Sequence, residues 1–142
     1  MPASTADLVR YFVTCVPGAG RTQIMKFLYL ADLESRRLRG KPISSLDYIW
    51  YEFGPFDSSV LANLDGLMRT EKIRGELVRY PNGIAGWRYF PSEGEPGPSW
   101  SEEDKIILDF VWQTYGHTDL QPLLDEIVYR TAPMVYAQQN EE

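Results

Sequence analysis

Residues 47–59 read DYIWYEFGPFDSS and bring five aromatic side chains together within nine positions, from Tyr48 to Phe56. The pair Gly54-Pro55 interrupts regular secondary structure, because proline fixes φ and has no backbone N–H. We therefore expect the aromatics before this pair and Phe56 after it to lie in two different elements that meet at a fixed turn. We therefore expect one secondary-structure element on each side of that turn.

The pattern of apolar residues outside this stretch predicts mainly helices. The predicted elements, in chain order, are helices over about 6–16 and 23–39, an extended or strand segment over 46–53, a helix over about 58–70, a β-hairpin of about 77–80 and 87–90, and helices over about 102–115 and 119–130. The residues predicted to cap the starts of the helices are Thr5, Thr22, Asp57, Ser101 and Thr118. Three prolines and two glycines within residues 91–99 predict a linker.

This order of elements predicts an α+β fold that is mostly α: a winged-helix-like helical core with a β-hairpin and a C-terminal helical extension. We assign residues 1–92 to the core, 93–99 to the linker and 100–142 to C-terminal helices that pack on the same single domain. In this interpretation the helix over about 58–70 occupies the position of a recognition helix, and the hairpin occupies that of the wing.

Composition and charge limit the classes of function. The chain is 44% hydrophobic and 24% charged, has one cysteine and contains no apolar stretch long enough to span a membrane. We therefore expect a cytoplasmic protein with no membrane partner. Residues 1–92 contain 12 basic and 9 acidic side chains, whereas residues 93–142 contain 2 and 11. The acidic C-terminal part suggests a partner with a basic surface.

The sequence shows no catalytic, metal-binding or cofactor-binding motif, so we expect no enzyme activity and no cofactor. His117 is the single histidine, and we expect it to lie in a connection between helices. Asp32, Asp47 and Glu52 stand among apolar residues, where a carboxylate needs a partner such as an arginine or a tyrosine hydroxyl. We predict structural hydrogen-bonding roles for these three. A small enzyme or ligand-binding protein that uses Asp32, Asp47 or His117 is a weaker alternative.

The predicted helix over about 58–70 makes a poor surface for reading DNA. Its outward side offers Asn63, Asp65, Gly66 and Arg69, whereas base readout uses arginine, lysine, asparagine and glutamine on a basic face. We therefore do not expect a nucleic-acid partner. A winged-helix DNA-binding regulator nevertheless stays an alternative, because basic residues on or near the hairpin could contact phosphates; these are Lys72, Arg74, Arg79 and Arg88.

Four short segments occur in a characteristic order: FLYLAD at 27–32, GKPI at 40–43, LDY at 46–48 and YEFGPF at 51–56. The ordered set resembles the Panacea domain family, a group of bacterial, phage-associated antitoxin-like domains, over about residues 5–130. Many members carry a histidine a few residues before a proline near the C-terminus, where this chain has Tyr129 before Pro133. The role that this histidine has in the family is therefore not carried over to this chain.

The resemblance implies a binding protein. Members of the family commonly neutralise a toxin encoded alongside them by direct contact, and at least one relative instead delivers its toxin to a protease as an adaptor. The resemblance therefore implies a toxin partner and no cofactor, and it leaves homo-oligomer formation open. The aromatic stretch has two interpretations: most of its rings form core, or a subset faces away from the core and contacts the toxin. The candidate residues for that contact are Trp50, Tyr51, Phe53, Phe56 and Asp57.

Overall fold

The structure is a computed structural model, and it describes residues 3–51, 54–83, 85–94 and 97–116. Its elements are α1 (Thr5–Cys15), α2 (Arg21–Arg39), β1 (Ile49–Tyr51), β2 (Gly54–Phe56), α3 (Ser58–Arg69), β3 (Ile73–Arg79), β4 (Ala85–Pro91) and α4 (Glu102–Tyr115). The predicted helix over about 119–130, with Tyr129 and the loop residue His117, lies outside the described residues. The fold class predicted from the sequence, α+β and mostly α, is confirmed.

Helix α2 is the centre of the core. Eleven of its 19 residues are buried, so other elements surround it on most sides. It packs against α1 and α4, and the rings of Phe12 and Phe27 stack with their centroids 5.3 Å apart. The broad apolar arc of this segment is the sequence feature that predicts such a position.

Among the predicted helix caps on described residues, two are wrong and two are confirmed, and Thr118 lies outside the described residues. Helix α1 begins one residue earlier than expected, because Ser4 is the cap and accepts a hydrogen bond from the N–H of Asp7 at 3.1 Å. Helix α2 begins after Gly20, which makes no side-chain capping bond, so Thr22 lies inside the helix. The side chains of Asp57 and Ser101 cap α3 and α4 as predicted.

The aromatic stretch forms a short hairpin of its own. Strand β1 pairs antiparallel with β2, and Trp50 lies opposite Pro55. Trp50 and Tyr51 lie in a different element from Phe56, as expected, but Gly54-Pro55 does not make the turn, since both residues lie in the returning strand. A proline is tolerated there because β1 and β2 form a two-stranded sheet, in which each strand has an unpaired edge that needs no N–H donor.

The second hairpin, β3–β4, is longer than predicted, with pairs running from Ile73–Pro91 to Arg79–Ala85. An isolated antiparallel bridge joins Tyr89 to Ala19, in the connection between α1 and α2. This bridge and the order of elements agree with a winged-helix arrangement, in which a short strand after the first helix pairs with the wing. The winged-helix detail itself stays a prediction.

Helix α4 is tied to the first two helices by two polar contacts. A guanidinium nitrogen of Arg39 lies 2.7 Å from a carboxylate oxygen of Asp104, and the hydroxyl of Tyr11 donates to Asp109 at 2.8 Å. Buried apolar residues of α4 join the same core cluster as those of α1 and α2. In the described part of the chain, no helix combines the length and the apolar character that crossing a bilayer requires.

Candidate functional site

The carboxylate of Asp32 is a buried hydrogen-bonding centre between α2 and the segment that leads into β1. Only 4% of this residue is exposed. One oxygen accepts from the backbone N–H groups of Ile43 and Ser44, at 3.0 and 2.8 Å. The other accepts from the hydroxyls of Ser44 and Tyr48, at 2.6 and 2.7 Å. Four donors thus replace the water that a buried carboxylate would lose.

Tyr48 immediately precedes β1, so its hydrogen bond to Asp32 fixes the start of the hairpin to α2. Its ring meets that of Tyr29 edge to face, with the centroids 5.3 Å apart. Burial, followed by the charge and hydrogen bond of Asp32, raises the pKa of the Tyr48 hydroxyl well above its ordinary value. The hydroxyl therefore stays protonated at neutral pH and remains a donor to the carboxylate.

Asp57 holds the other end of the hairpin. One carboxylate oxygen caps α3 by accepting from the N–H of Ser59 at 2.8 Å, and the second accepts from the N–H of Asp47 at 2.8 Å. Partial burial opposes ionisation, but the hydrogen bonds from Asp47 and Ser59 outweigh it and lower the pKa of Asp57. The hydrogen bond between Asp47 and Asp57 thereby joins the residues just before β1 and just after β2. We call this joined end, together with Tyr48, the base of the hairpin.

The structure brings most of the predicted site residues to this hairpin. Trp50 and Tyr51 lie in β1, and Phe56 lies in β2, half-buried against the core. Asp47 takes part through its backbone N–H, and the residue is exposed. The two remaining candidates, Glu52 and Phe53, lie outside the described residues. Any contact of these side chains with a toxin stays a prediction.

Ile49 is the residue that the sequence analysis missed. It lies in β1 beside the predicted aromatics and is 60% exposed. The alternation of a strand could have indicated it, because Ile49 follows the inward-facing Tyr48 and therefore points the opposite way. Ile49 therefore adds an exposed apolar side chain to the strand that carries Trp50 and Tyr51.

The described residues give little support to metal binding or to DNA binding. Within 3–51, 54–83, 85–94 and 97–116, no group of three or more His, Cys, Asp or Glu side chains could hold a metal ion. On α3, the amide of Asn63 donates to the backbone oxygen of Ser59 at 2.8 Å, which occupies a group that base readout would need free. On the β3–β4 hairpin, Arg74 and Arg88 lie over the rings of Phe90 and Tyr80, respectively.

These features define an α-rich α+β domain that presents a short aromatic hairpin on a hydrogen-bonded base. Residues 24–131 match the family model described as antitoxin SocA-like, Panacea domain, over about three quarters of the chain. The chain belongs to this family, and the resemblance predicted from its motifs is confirmed. Membership indicates an antitoxin-like, non-enzymatic role with a protein partner. No curated protein and no solved structure matches.

Proposed function

We propose that this protein is the antitoxin of a toxin–antitoxin pair and neutralises its toxin by direct binding through the β1–β2 hairpin. The observation that supports the proposal is that a member of an antitoxin family places the exposed Ile49 on a strand held at its base by Asp32 and Asp57. Trp50 and Tyr51 lie in the same hairpin, and the proposed contact includes them and Phe53. Phe56 and Asp57 then form its base.

A rigid base favours tight binding. Association costs free energy when loops and side chains must be ordered, and a segment that is already fixed avoids part of this cost. Here both ends of the hairpin are tied through hydrogen bonds of 2.8 Å or less, from Tyr48 to Asp32 and from Asp47 to Asp57. Large apolar and aromatic side chains on such a base are typical anchors of protein interfaces.

The charge distribution favours a toxin with a basic surface. Residues 93–142 contain 11 acidic and 2 basic side chains. Such asymmetry accelerates association with an oppositely charged partner and makes it sensitive to salt. We therefore propose that contacts of the apolar hairpin provide the binding affinity. The acidic residues of 93–142 accelerate association with the toxin.

The proposal is tested by growth assays in which this gene is co-expressed with each neighbouring open reading frame. A neighbour that is toxic alone and harmless in the presence of this protein is its toxin. Repeating the assay in a host that lacks the main ATP-dependent proteases separates two mechanisms. Rescue that persists supports neutralisation by binding, and rescue that disappears supports an adaptor that delivers the toxin to a protease. The absence of any toxic neighbour would overturn the proposal.

A further inference from the structure

A second candidate site lies on a different part of the molecule from the β1–β2 hairpin. A cavity of about 270 Å³ opens between the last two turns of α1, the connection from α3 to β3 and the segment that follows β4. Tyr11 and Cys15 line it from α1, Trp100 and Pro98 line it from the segment before α4, and Lys72 lies at its edge. Neither the antitoxin family nor the proposed toxin contact assigns a role to it.

The floor of this pocket is aromatic and uncharged. The Tyr11 ring meets the Trp100 ring edge to face with centroids 6.1 Å apart, and its hydroxyl is held by Asp109. Burial, followed by the hydrogen bond to Asp109, raises the pKa of Tyr11, and burial likewise raises the pKa of Cys15. Both groups are therefore neutral at pH 7, so the floor suits a flat apolar group.

The edge of the pocket is basic. Arg10 and Lys72 both line it, and the ammonium of Lys72 forms no ion pair with any residue that the structure describes. The backbone fixes where Lys72 lies, because its N–H donates to the carbonyl of Leu67 at 2.9 Å and closes the C-terminal end of α3. The preceding residue, Glu71, has a φ of 59°, a left-handed conformation that the closing motif requires.

The ligand that fits is a single ring with one negative charge. The volume is slightly below the range of pockets for drug-sized molecules, so it suits one ring rather than a nucleotide. The cation of Lys72 at the edge favours an anion. The pocket is also lined by the C-terminal end of α1, where the helix dipole is negative, and this disfavours a doubly charged phosphate more than an anion with one charge. A carboxylate carries one charge and meets this condition.

We propose that this pocket binds an aromatic carboxylate, with the ring against Tyr11 and Trp100 and the carboxylate on Lys72. Such a group can come from a free small acid or from the aromatic C-terminal residue of a protein chain. The proposal goes beyond the toxin contact, and it is tested on the purified protein without any toxin. Its failure therefore leaves the proposed antitoxin function unaffected.

The test uses 3-phenylpropionate and an acetylated Gly-Gly-Phe peptide with a free carboxyl group, each compared with its own amide. Binding is followed through the indole N–H resonance of Trp100, which a Trp100→Phe variant assigns. We expect at least one acid to shift this resonance and its amide to bind about tenfold more weakly, as loss of a charge-assisted hydrogen bond predicts. Preference for the free acid identifies a small-molecule site, and preference for the peptide identifies a chain end.

Matched variants locate the contact. We expect Lys72→Gln to weaken binding roughly fivefold, and Lys105→Gln, a change at an exposed lysine of α4, to leave it unchanged. Thr14→Phe places a ring in the pocket from an exposed position of α1 and is expected to abolish binding without disturbing the core. The proposal is overturned if neither acid shifts Trp100, if the amides bind equally well, or if Lys72→Gln and Lys105→Gln behave alike.

Discussion

At the scale of single residues, the sequence identifies which polar groups are unusual but not how they are satisfied. Asp32 stands out because it lies within an apolar helix, and a tyrosine hydroxyl was among the partners expected for it. Tyr48 is that tyrosine, and it lies 16 residues away. The other partners are Ser44 and two backbone N–H groups, which no spacing rule indicates. Such contacts depend on how the chain after α2 returns, which is a property of the tertiary fold.

Replacing Asp32 tests whether this centre stabilises the fold. We expect Asp32→Ala to lower the free energy of unfolding by about 3 kcal/mol, because it leaves buried donors on Ser44 and Tyr48 without an acceptor. Tyr48→Phe, which removes one donor, is expected to cost about 1 kcal/mol. Urea unfolding measures both. Asp47→Ala is the control, since the residue is exposed and contributes its backbone N–H, and a loss as large as that of Asp32→Ala would contradict the assignment.

Glu71 allows a prediction of the opposite sign. Among the described residues it is the one non-glycine residue with a positive φ, 59°, at the position after the α3 cap where glycine is usual. The left-handed conformation costs an L-residue about 1 kcal/mol. We therefore expect Glu71→Gly to stabilise the protein by about 0.5 kcal/mol, after the larger chain entropy of glycine in the unfolded state is subtracted.

Thermal unfolding measures the Glu71 effect. Thr70→Gly is the matched control, because Thr70 has a φ of −91° and its hydroxyl donates to the carbonyl of Gly66 at 2.9 Å. Glycine at this position removes that bond and gains no relief of strain, so we expect destabilisation. Equal effects of the two substitutions would show that the backbone conformation of Glu71 carries no cost.

At the scale of elements, periodicity predicted the four described helices and the β3–β4 hairpin to within a few residues. It failed where two short elements meet. The pair Gly54-Pro55 was expected to make a turn, but both residues pair with β1 in a two-stranded sheet. Local sequence preferences cannot show that the edge of a strand is free, and a free edge is what permits proline there. The exposure of Ile49 was not predicted for a similar reason, because it depends on which face of the β1–β2 hairpin the core covers.

The role of the β1–β2 hairpin is tested by charging its exposed face. We expect Ile49→Lys to abolish rescue in the co-expression assay, because a lysine cannot be buried in an apolar interface without a partner. Stability should change by less than about 0.5 kcal/mol, since the side chain is 60% exposed.

Leu77→Lys provides the matched control for Ile49→Lys. Leu77 is 61% exposed and lies in β3 of the other hairpin, so the same change alters charge and apolar area equally. We expect it to leave rescue intact. Rescue by the Ile49 variant would remove the hairpin from the proposed interface. Loss of rescue with Leu77→Lys alone would move the interface to the β3–β4 hairpin.

At the scale of the whole molecule, the sequence predicts the class of fold and the family, because ordered motifs and helical periodicity extend over most of the chain. It does not predict the pocket beside Tyr11, which forms from segments up to about 90 positions apart. Nor does it predict that Lys26 is buried, with 1% of its surface exposed. Lysine is rarely placed in a core, so a sequence pattern assigns it to the surface.

Buried Lys26 makes the stability of the whole protein depend on pH. Burial lowers its pKa from 10.5 to about 8. Between these values the unfolded chain binds more protons than the folded one, so stability rises with pH. We expect the wild-type protein to gain about 1 kcal/mol relative to Lys26→Met between pH 8 and 9.5. Comparing the wild-type protein with Lys26→Met cancels the contribution of Cys15, which has the opposite sign. The raised pKa of Cys15 lowers the free energy of unfolding as the thiol of the unfolded chain ionises.

Urea unfolding at several pH values provides the measurement, with Lys105→Met as the control. Lys105 is exposed on α4, so its replacement should shift stability by the same amount at every pH in this range. If the wild-type and Lys26→Met curves run parallel from pH 8 to 9.5, Lys26 is as readily protonated in the folded protein as in the unfolded chain. A rise of the wild-type curve relative to the Lys26→Met curve in that interval would instead show that the core tolerates this lysine best in its neutral form.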